Sequence, residues 1–231
     1  MRSPRNLRAQ RAFAAALALS LVVAACSDEA DEDPLGGATS TSADGDGVDD
    51  GGNTAAASVP DGWKVVEGDG VSIAVPEEWI DVPLEDFELG REDLEELMPQ
   101  ADEAMLNQAV GVVQQGGVLL AFGPPDAGFT DNLNILRLPV SAELDQLERE
   151  AELGMEALGA EVHSLDRVEL PSGEAIRVSY TAEFQSPDGP FSVEGVQLYL
   201  PSDGATFVLT VSAVSDPGEL ADQMAETFEV T

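Results

Sequence analysis

Glu174-Ala175-Ile176-Arg177-Val178-Ser179-Tyr180-Thr181-Ala182-Glu183-Phe184 decides the fold. Ile176, Val178, Tyr180, Ala182 and Phe184 alternate with Arg177, Ser179, Thr181 and Glu183. A period of two is the signature of a strand with one face turned inward. Upstream, Val162 to Leu170 reads as a partner strand, reached through Pro171-Ser172-Gly173. Downstream, Ser186-Pro187-Asp188-Gly189 turns the chain into another strand. There Phe191 and Val193 share one phase, and Val196, Leu198 and Leu200 take the other, so a bulge is expected at Gly195. After Ser202-Asp203-Gly204 comes a strand carrying Phe207, Leu209, Val211 and Ala213 on one face and Val208 and Val214 on the other. A strand apolar on both faces belongs in the middle of a sheet covered twice.

The flanking segments supply the cover. Ser141 is the expected N-cap of a helix over Ala142 to Leu158, with Leu144, Leu147, Ala151, Met155 and Leu158 as its apolar stripe and Gly159 at its end. Acidic residues and Arg149 are expected on its outer face. A closing helix is expected from Pro217 to Phe228, capped by Asp216. Further upstream, Glu92 to Met98 and Gln100 to Gln115 have helical spacing, and Gly116-Gly117 stops the second. Val118 to Phe122 and Asn132 to Leu138 read as strands, with a loop opening at Pro124-Pro125-Asp126. Trp63 to Val66 and Val71 to Val75 read as a hairpin around Glu67-Gly68-Asp69-Gly70, followed by an apolar cluster of Trp79, Ile80 and Val82. Hairpin-linked strands with helices between groups of them make an α+β class with a mostly antiparallel sheet. The 172 residues from Pro60 to Thr231 suit one domain.

Gly70-Val71-Ser72-Ile73-Ala74-Val75-Pro76-Glu77-Glu78-Trp79 resembles the opening of PsbP-like domains. That group includes photosystem II extrinsic subunits, a Ran-binding nuclear import factor and LpqN-like lipoproteins of actinobacteria. The order of strand, long helix, strand meander and final helix over 60–231 is similar too. The resemblance implies an α/β/α sandwich acting as a binding or docking module, with no catalytic residues.

The N-terminal segment has a different character. Arg2, Arg5, Arg8 and Arg11 form a basic head, Ala12 to Val23 an apolar run, and Ala24-Ala25 a small-residue cut site. These are the parts of a secretory signal, residues 1–25. The apolar run is shorter than the roughly 20 residues that span a bilayer. Val23-Ala24-Ala25-Cys26 resembles the lipobox of bacterial lipoproteins. The resemblance implies a diacylglyceryl group on Cys26, cleavage before it, and attachment of the chain to the outer face of the membrane. Residues 26–59 are built from Asp, Glu, Gly, Ala, Ser and Thr, a composition expected to form a disordered tether. Within it, Asp44 to Gly51 resembles a calcium loop, but Val48 and Ala55 stand where the EF-hand pattern needs an oxygen ligand and a glutamate. A solvated acidic run is the better reading.

Charge and motifs exclude more than they assign. The chain holds 10 basic and 45 acidic residues. Four of the ten bases and none of the acids lie in 1–25, so the remainder carries 6 against 45, a formal charge of −39. Such a surface repels phosphate, which argues against nucleic acid as a partner. Cys26 is the only cysteine, so no intrachain disulfide forms. His163 is the only histidine, too few for a histidine metal set and the sole candidate base for a Ser–His–Asp triad. No Gly-x-Ser-x-Gly elbow and no phosphate loop is present. The expectation is therefore a non-enzymatic envelope lipoprotein without cofactor or metal, binding a partner protein or an apolar envelope molecule. The loops Pro124 to Asp131 and Gln185 to Pro190 are the expected rims of that site. Two alternatives stay open. An extracellular hydrolase would place His163 in a cleft beside a carboxylate and a hydroxyl. A surface protein with no specific ligand would need neither.

Overall fold

The computed structural model describes residues 59–82, 84, 103–126, 129–186 and 189–231. The signal segment, Cys26, the acidic tether with Asp44 to Gly51, and the expected helix Glu92 to Met98 lie outside them.

The chain runs β1 (Trp63–Gly68), β2 (Val71–Pro76), β3 (Ile80–Val82), α1 (Glu103–Gln114), β4 (Gly117–Asp126), β5 (Phe129–Leu138), α2 (Leu144–Leu158), β6 (Glu161–Leu170), β7 (Gly173–Ser186), β8 (Gly189–Ser202), β9 (Ala205–Ala213), α3 (Gly218–Glu226) and β10 (Glu229–Val230). Among the described residues two sheets form, in the orders β1-β2-β10 and β3-β4-β5-β9-β8-β7-β6. Every pairing is antiparallel. The fold is α+β, as the sequence leads one to expect.

The period of two sorts the large sheet into two faces. One carries Leu120, Phe122, Leu136, Val178, Tyr180, Tyr199 and Val208, packed with residues of α1 and α2. The other carries Leu133, Ile135, Leu198, Leu209 and Val211, packed with residues of β1, β2 and α3. Among the described residues α1 and α2 lie on the first face, with Leu84 and Ala142 packed beside them, while α3 and the small sheet share the other. β9 lies fourth of seven strands, and all nine of its residues are buried. Val208 on its second face is buried as that position requires, whereas Val214 lies beyond the strand and is exposed.

The small sheet closes the chain on itself. After α3, β10 pairs with β2, and Thr227 Oγ1 accepts the Ala74 N–H at 2.9 Å while donating to the Met224 carbonyl at 2.8 Å. Thr227 thus satisfies a donor on the open side of β2 just past the two-residue β10.

Several local expectations need correction. No bulge occurs at Gly195, because β8 keeps register with β7 and β9 throughout. The apparent change of phase arises because both faces of β8 are buried. Val193, Gly195, Gln197 and Tyr199 face the helices, and Val196, Leu198 and Leu200 face the other layer. Register shifts occur elsewhere, between Val162 and Ser164 on β6, and between Gly117 and Leu119 and between Phe122 and Pro125 on β4. α2 begins after Glu143, which makes no side-chain cap, so Ser141 is not its N-cap. Glu150 of α2 turns inward rather than outward. Gly159 ends that helix at φ 71, a left-handed conformation that glycine adopts without a Cβ clash. α3 ends at Glu226 and begins after Pro217, while Asp216 Oδ1 still accepts the Gly218 N–H at 2.8 Å. β4 runs on through Pro124 and Pro125 after a register shift at Phe122. β3 pairs only as far as Phe122, so the prolines fall where that side of β4 needs no ladder donor.

Candidate functional site

The two helices of the helical cover do not share the sheet evenly. α1 makes its main contacts on β4 and β5, and α2 on β7 and β6. Between them lie β9 and β8, the middle of the sheet. The side chains there are polar, which is unusual for the centre of a core.

Strand register sets out the pattern. In one cross-strand row Asn134 of β5 pairs with Thr210 of β9, and Thr210 with Gln197 of β8. In the next row Asn132 pairs with Ser212, Ser212 with Gly195, and Gly195 with Tyr180 of β7. Asn132 and Asn134 share a face with Leu136 and Leu138, which pack on the helical side. Each of Asn132, Asn134, Tyr180, Gln197, Thr210 and Ser212 is at most 1 % exposed.

Half of this cluster is satisfied. Gln197 Nε2 donates to Thr210 Oγ1 at 3.0 Å, and the Tyr199 hydroxyl donates to Gln197 Oε1. Asn132 Nδ2 donates to the Thr130 carbonyl at 3.1 Å, which fixes the orientation of its amide. The other half has no protein partner. Both polar atoms of the Asn134 side chain, Asn132 Oδ1 and the Tyr180 hydroxyl are buried without one. Leaving such a group unpaired costs about 1–3 kcal/mol, so a cluster of four such atoms calls for a physical reason.

Gly195 explains how Tyr180 reaches the cluster. The Tyr180 ring lies across this glycine, and a Cβ there would stand 2.7 Å from ring atom Cε1. The ring therefore carries its hydroxyl from β7 over β8 toward Ser212 on β9. Burial pushes the Tyr180 phenol up, partly offset by the neighbouring Ser212 hydroxyl, although the two do not meet in hydrogen-bond geometry. Burial also pushes the Tyr199 phenol up, with Tyr180 adding to the effect. Both phenols stay protonated at neutral pH, as donors.

The strand ends beside the two expected rim loops come together at one end of the sheet. Phe129 and Phe191 have ring centroids 6.1 Å apart, and Phe184 and Phe191 5.8 Å. These half-buried rings lie at the same end of the strands as Asn132 and Tyr180. The loop tips, 127–128 and 187–188, are outside the described residues.

His163 lies elsewhere. It is exposed at the bulge of the outer strand β6, with Nε2 2.7 Å from Thr181 Oγ1. Among the described residues no carboxylate is hydrogen-bonded to its ring. The same residues contain no cluster of three or more metal-binding side chains, and no helix long and apolar enough to cross a membrane.

Sequence reading passed over Asn132, Asn134, Gln197, Thr210 and Ser212. A signal was present. Asn132 and Asn134 alternate with Leu133 and Ile135, and Thr210 and Ser212 with Leu209 and Val211. Two adjacent central strands with one apolar and one polar face are a pattern expected at a solvent-facing sheet, not under helices.

No family model and no curated protein matches the chain. Among solved structures, a protein of Bacteroides thetaiotaomicron VPI-5482 is 14% identical with a TM-score of 0.40, covering 70% of this chain and 45% of that one. LpqN of Mycobacterium tuberculosis, described as involved in cell envelope biogenesis, is 16% identical with a TM-score of 0.41, covering 70% of this chain and 83% of that one. Likeness at this level transfers no function.

Proposed function

We propose that this chain is a lipoprotein of the cell envelope. Lipid on Cys26 holds it at the outer face of the cytoplasmic membrane, and its body binds a partner protein or an apolar envelope molecule without catalysing a reaction. The observation that carries the binding reading is the set of buried, uncharged, unpartnered polar atoms on Asn132, Asn134 and Tyr180. Such groups recognise a ligand by hydrogen bonding, and none of them is an activated nucleophile. The anchor reading rests on the basic head, apolar run and Val23-Ala24-Ala25-Cys26. Two or more acyl chains, at about 0.8 kcal/mol per buried methylene, hold a protein stably on a membrane.

The test is made in the native envelope. The processed protein is expected in the detergent phase with lipid on its first residue, and capture from that envelope should recover a saturably bound partner or small molecule. A Cys26→Ser chain should be released or left uncut. A Cys26→Ser chain of mature mass still in the detergent phase would refute the anchor.

The 2.7 Å contact between His163 and the Thr181 hydroxyl is the one feature that favours a hydrolase. Loss of an esterase activity of the native protein on His163→Ala would support that reading.

A further inference from the structure

We propose that the free edge of β6 accepts an extended segment of a partner protein, bearing lysine or arginine at alternate positions, as a further strand of the large sheet. This names the partner class of the binding reading above and rests on it.

The edge is long, exposed and unpaired. β6 stands last in the order of the large sheet and pairs with β7 alone among the described residues. Of its ten residues six are exposed, four are half-buried and none is buried. The opposite edge strand, β3, has only three residues. The register shift between Val162 and Ser164 disturbs the start of β6, but Ser164 to Leu170 pairs with Ser179 to Gly173 without a break. The two-residue loop Pro171-Ser172 makes Leu170 and Gly173 the closing hydrogen-bonded pair of the hairpin. Alternation from that pair turns the N–H and C=O of Glu169, Arg167 and Leu165 outward. No backbone outside β7 bonds to β6 among the described residues. An unpaired row of this kind is a template for another strand.

Charge names the occupant. Glu161, Asp166 and Glu169 are exposed on β6 and make no ion pair among the described residues. Arg167, the one arginine of β6, is already held by Asp145 and Glu148 of α2. The edge therefore keeps an excess of negative charge, which cationic side chains on an incoming strand would match. The same charges repel acidic strands, so they select among partners. The chain's own tether, residues 26–59, carries nine acids and no base. A second processed copy brings 45 acids against 6 bases. Both are disfavoured by the repulsion that favours a cationic segment.

The test uses the lipidated full chain in phosphatidylcholine nanodiscs. Three peptides matching Ser164 to Leu170 in length are the probes: alternating lysine and valine, alternating glutamate and valine, and the lysine peptide N-methylated at every residue. Affinity is titrated, and amide hydrogen exchange over β6 is followed by mass spectrometry. The lysine peptide is expected to bind saturably, at least about tenfold tighter than either of the others, and to slow exchange over Leu165 to Glu169 at least about tenfold. The double variant Asp166→Lys, Glu169→Lys is expected to prefer the glutamate peptide. The wild-type comparison stands without that variant should it fail to fold. Four results would overturn the proposal: no binding of the lysine peptide, equal binding of all three, binding that leaves β6 exchange unchanged, or an unmoved preference in the folded double variant. Protection of β6 in the free chain that grows with protein concentration would make a second copy the occupant and overturn it too. Failure of the lysine peptide alongside capture of a saturably bound partner from the envelope would overturn this edge alone and leave the broader reading standing.

Discussion

Asn134→Leu should make this protein more stable. Asn134 is fully buried in the second strand inward from the β3 edge-side pair, flanked by Leu120 on β4 and Thr210 on β9. Neither of its polar side-chain atoms meets a protein partner. Each unsatisfied buried group costs about 1–3 kcal/mol. Leucine has the same number of side-chain heavy atoms in the same γ-branched outline, and it gains from burial rather than losing. Its methyl groups are bulkier than an oxygen and an amine, and overpacking returns about 1–3 kcal/mol at worst. The net expectation is a gain of about 1–3 kcal/mol for leucine. Asn134→Val, which is smaller and prefers strands, cannot overpack and should gain about 1 kcal/mol or more. For a folded body of this size one kcal/mol moves Tm by about 2–4 °C, so leucine should raise it by about 2–12 °C. Urea unfolding and calorimetry at neutral pH check both. A loss of about 1 kcal/mol or more in both variants would refute the reasoning. It would mean that interior water satisfies Asn134, so that its amide is a structural group rather than one kept for a ligand at a cost in stability.

Other variants probe the frame around it. Gly195→Ala drives a methyl into the Tyr180 ring and should cost about 1–3 kcal/mol. The loss should shrink in a Tyr180→Leu background, and an unchanged loss would show that the ring is not the obstacle. Thr227→Val strips the Ala74 N–H of its acceptor and should cost about 1–3 kcal/mol in urea unfolding, with faster amide exchange at Ala74. Arg167 bonds Asp145 and, at 2.7 Å, Glu148, tying β6 to α2. The hydrogen bond and then the charge of Arg167 hold the Asp145 carboxyl below its usual range. A depressed folded value means the pairing helps above an ordinary aspartate pKa, near 4, and fades as pH falls through the folded value. Arg167→Gln should return the Asp145 midpoint, read by carboxyl NMR, to the ordinary range and flatten the acid-side loss of stability. An unmoved midpoint would contradict the pairing.

The frame was legible because its signal is a period. Ile176, Val178, Tyr180 and Ala182 alternate cleanly, so their strand and its inward face follow from spacing alone. β9 was readable as central because Val208 interrupts the otherwise polar second face of an apolar strand. The site was not legible, for three physical reasons. Its polar residues sit in strands that are buried on both faces, where alternation no longer separates inside from outside. Gln197 occupies a helix-facing position of β8, and Gly195 beside it has no side chain, so the true phase of that strand was hidden and a bulge was expected where none exists. The burial of these polar residues also depends on which face of seven strands α1 and α2 cover, a long-range matter that no local pattern encodes. His163 illustrates the reverse case. It attracts notice as the lone histidine, yet it stands exposed on an outer strand, away from the buried amides.

The central claim is that lipid on Cys26 holds this protein at the envelope, and the most direct measurement is intact-mass analysis of the protein purified from its own envelope. The account predicts a mature chain that begins at Cys26 and carries two or more acyl chains on that residue. An unmodified Cys26 thiol, on a chain free in the medium, would contradict it.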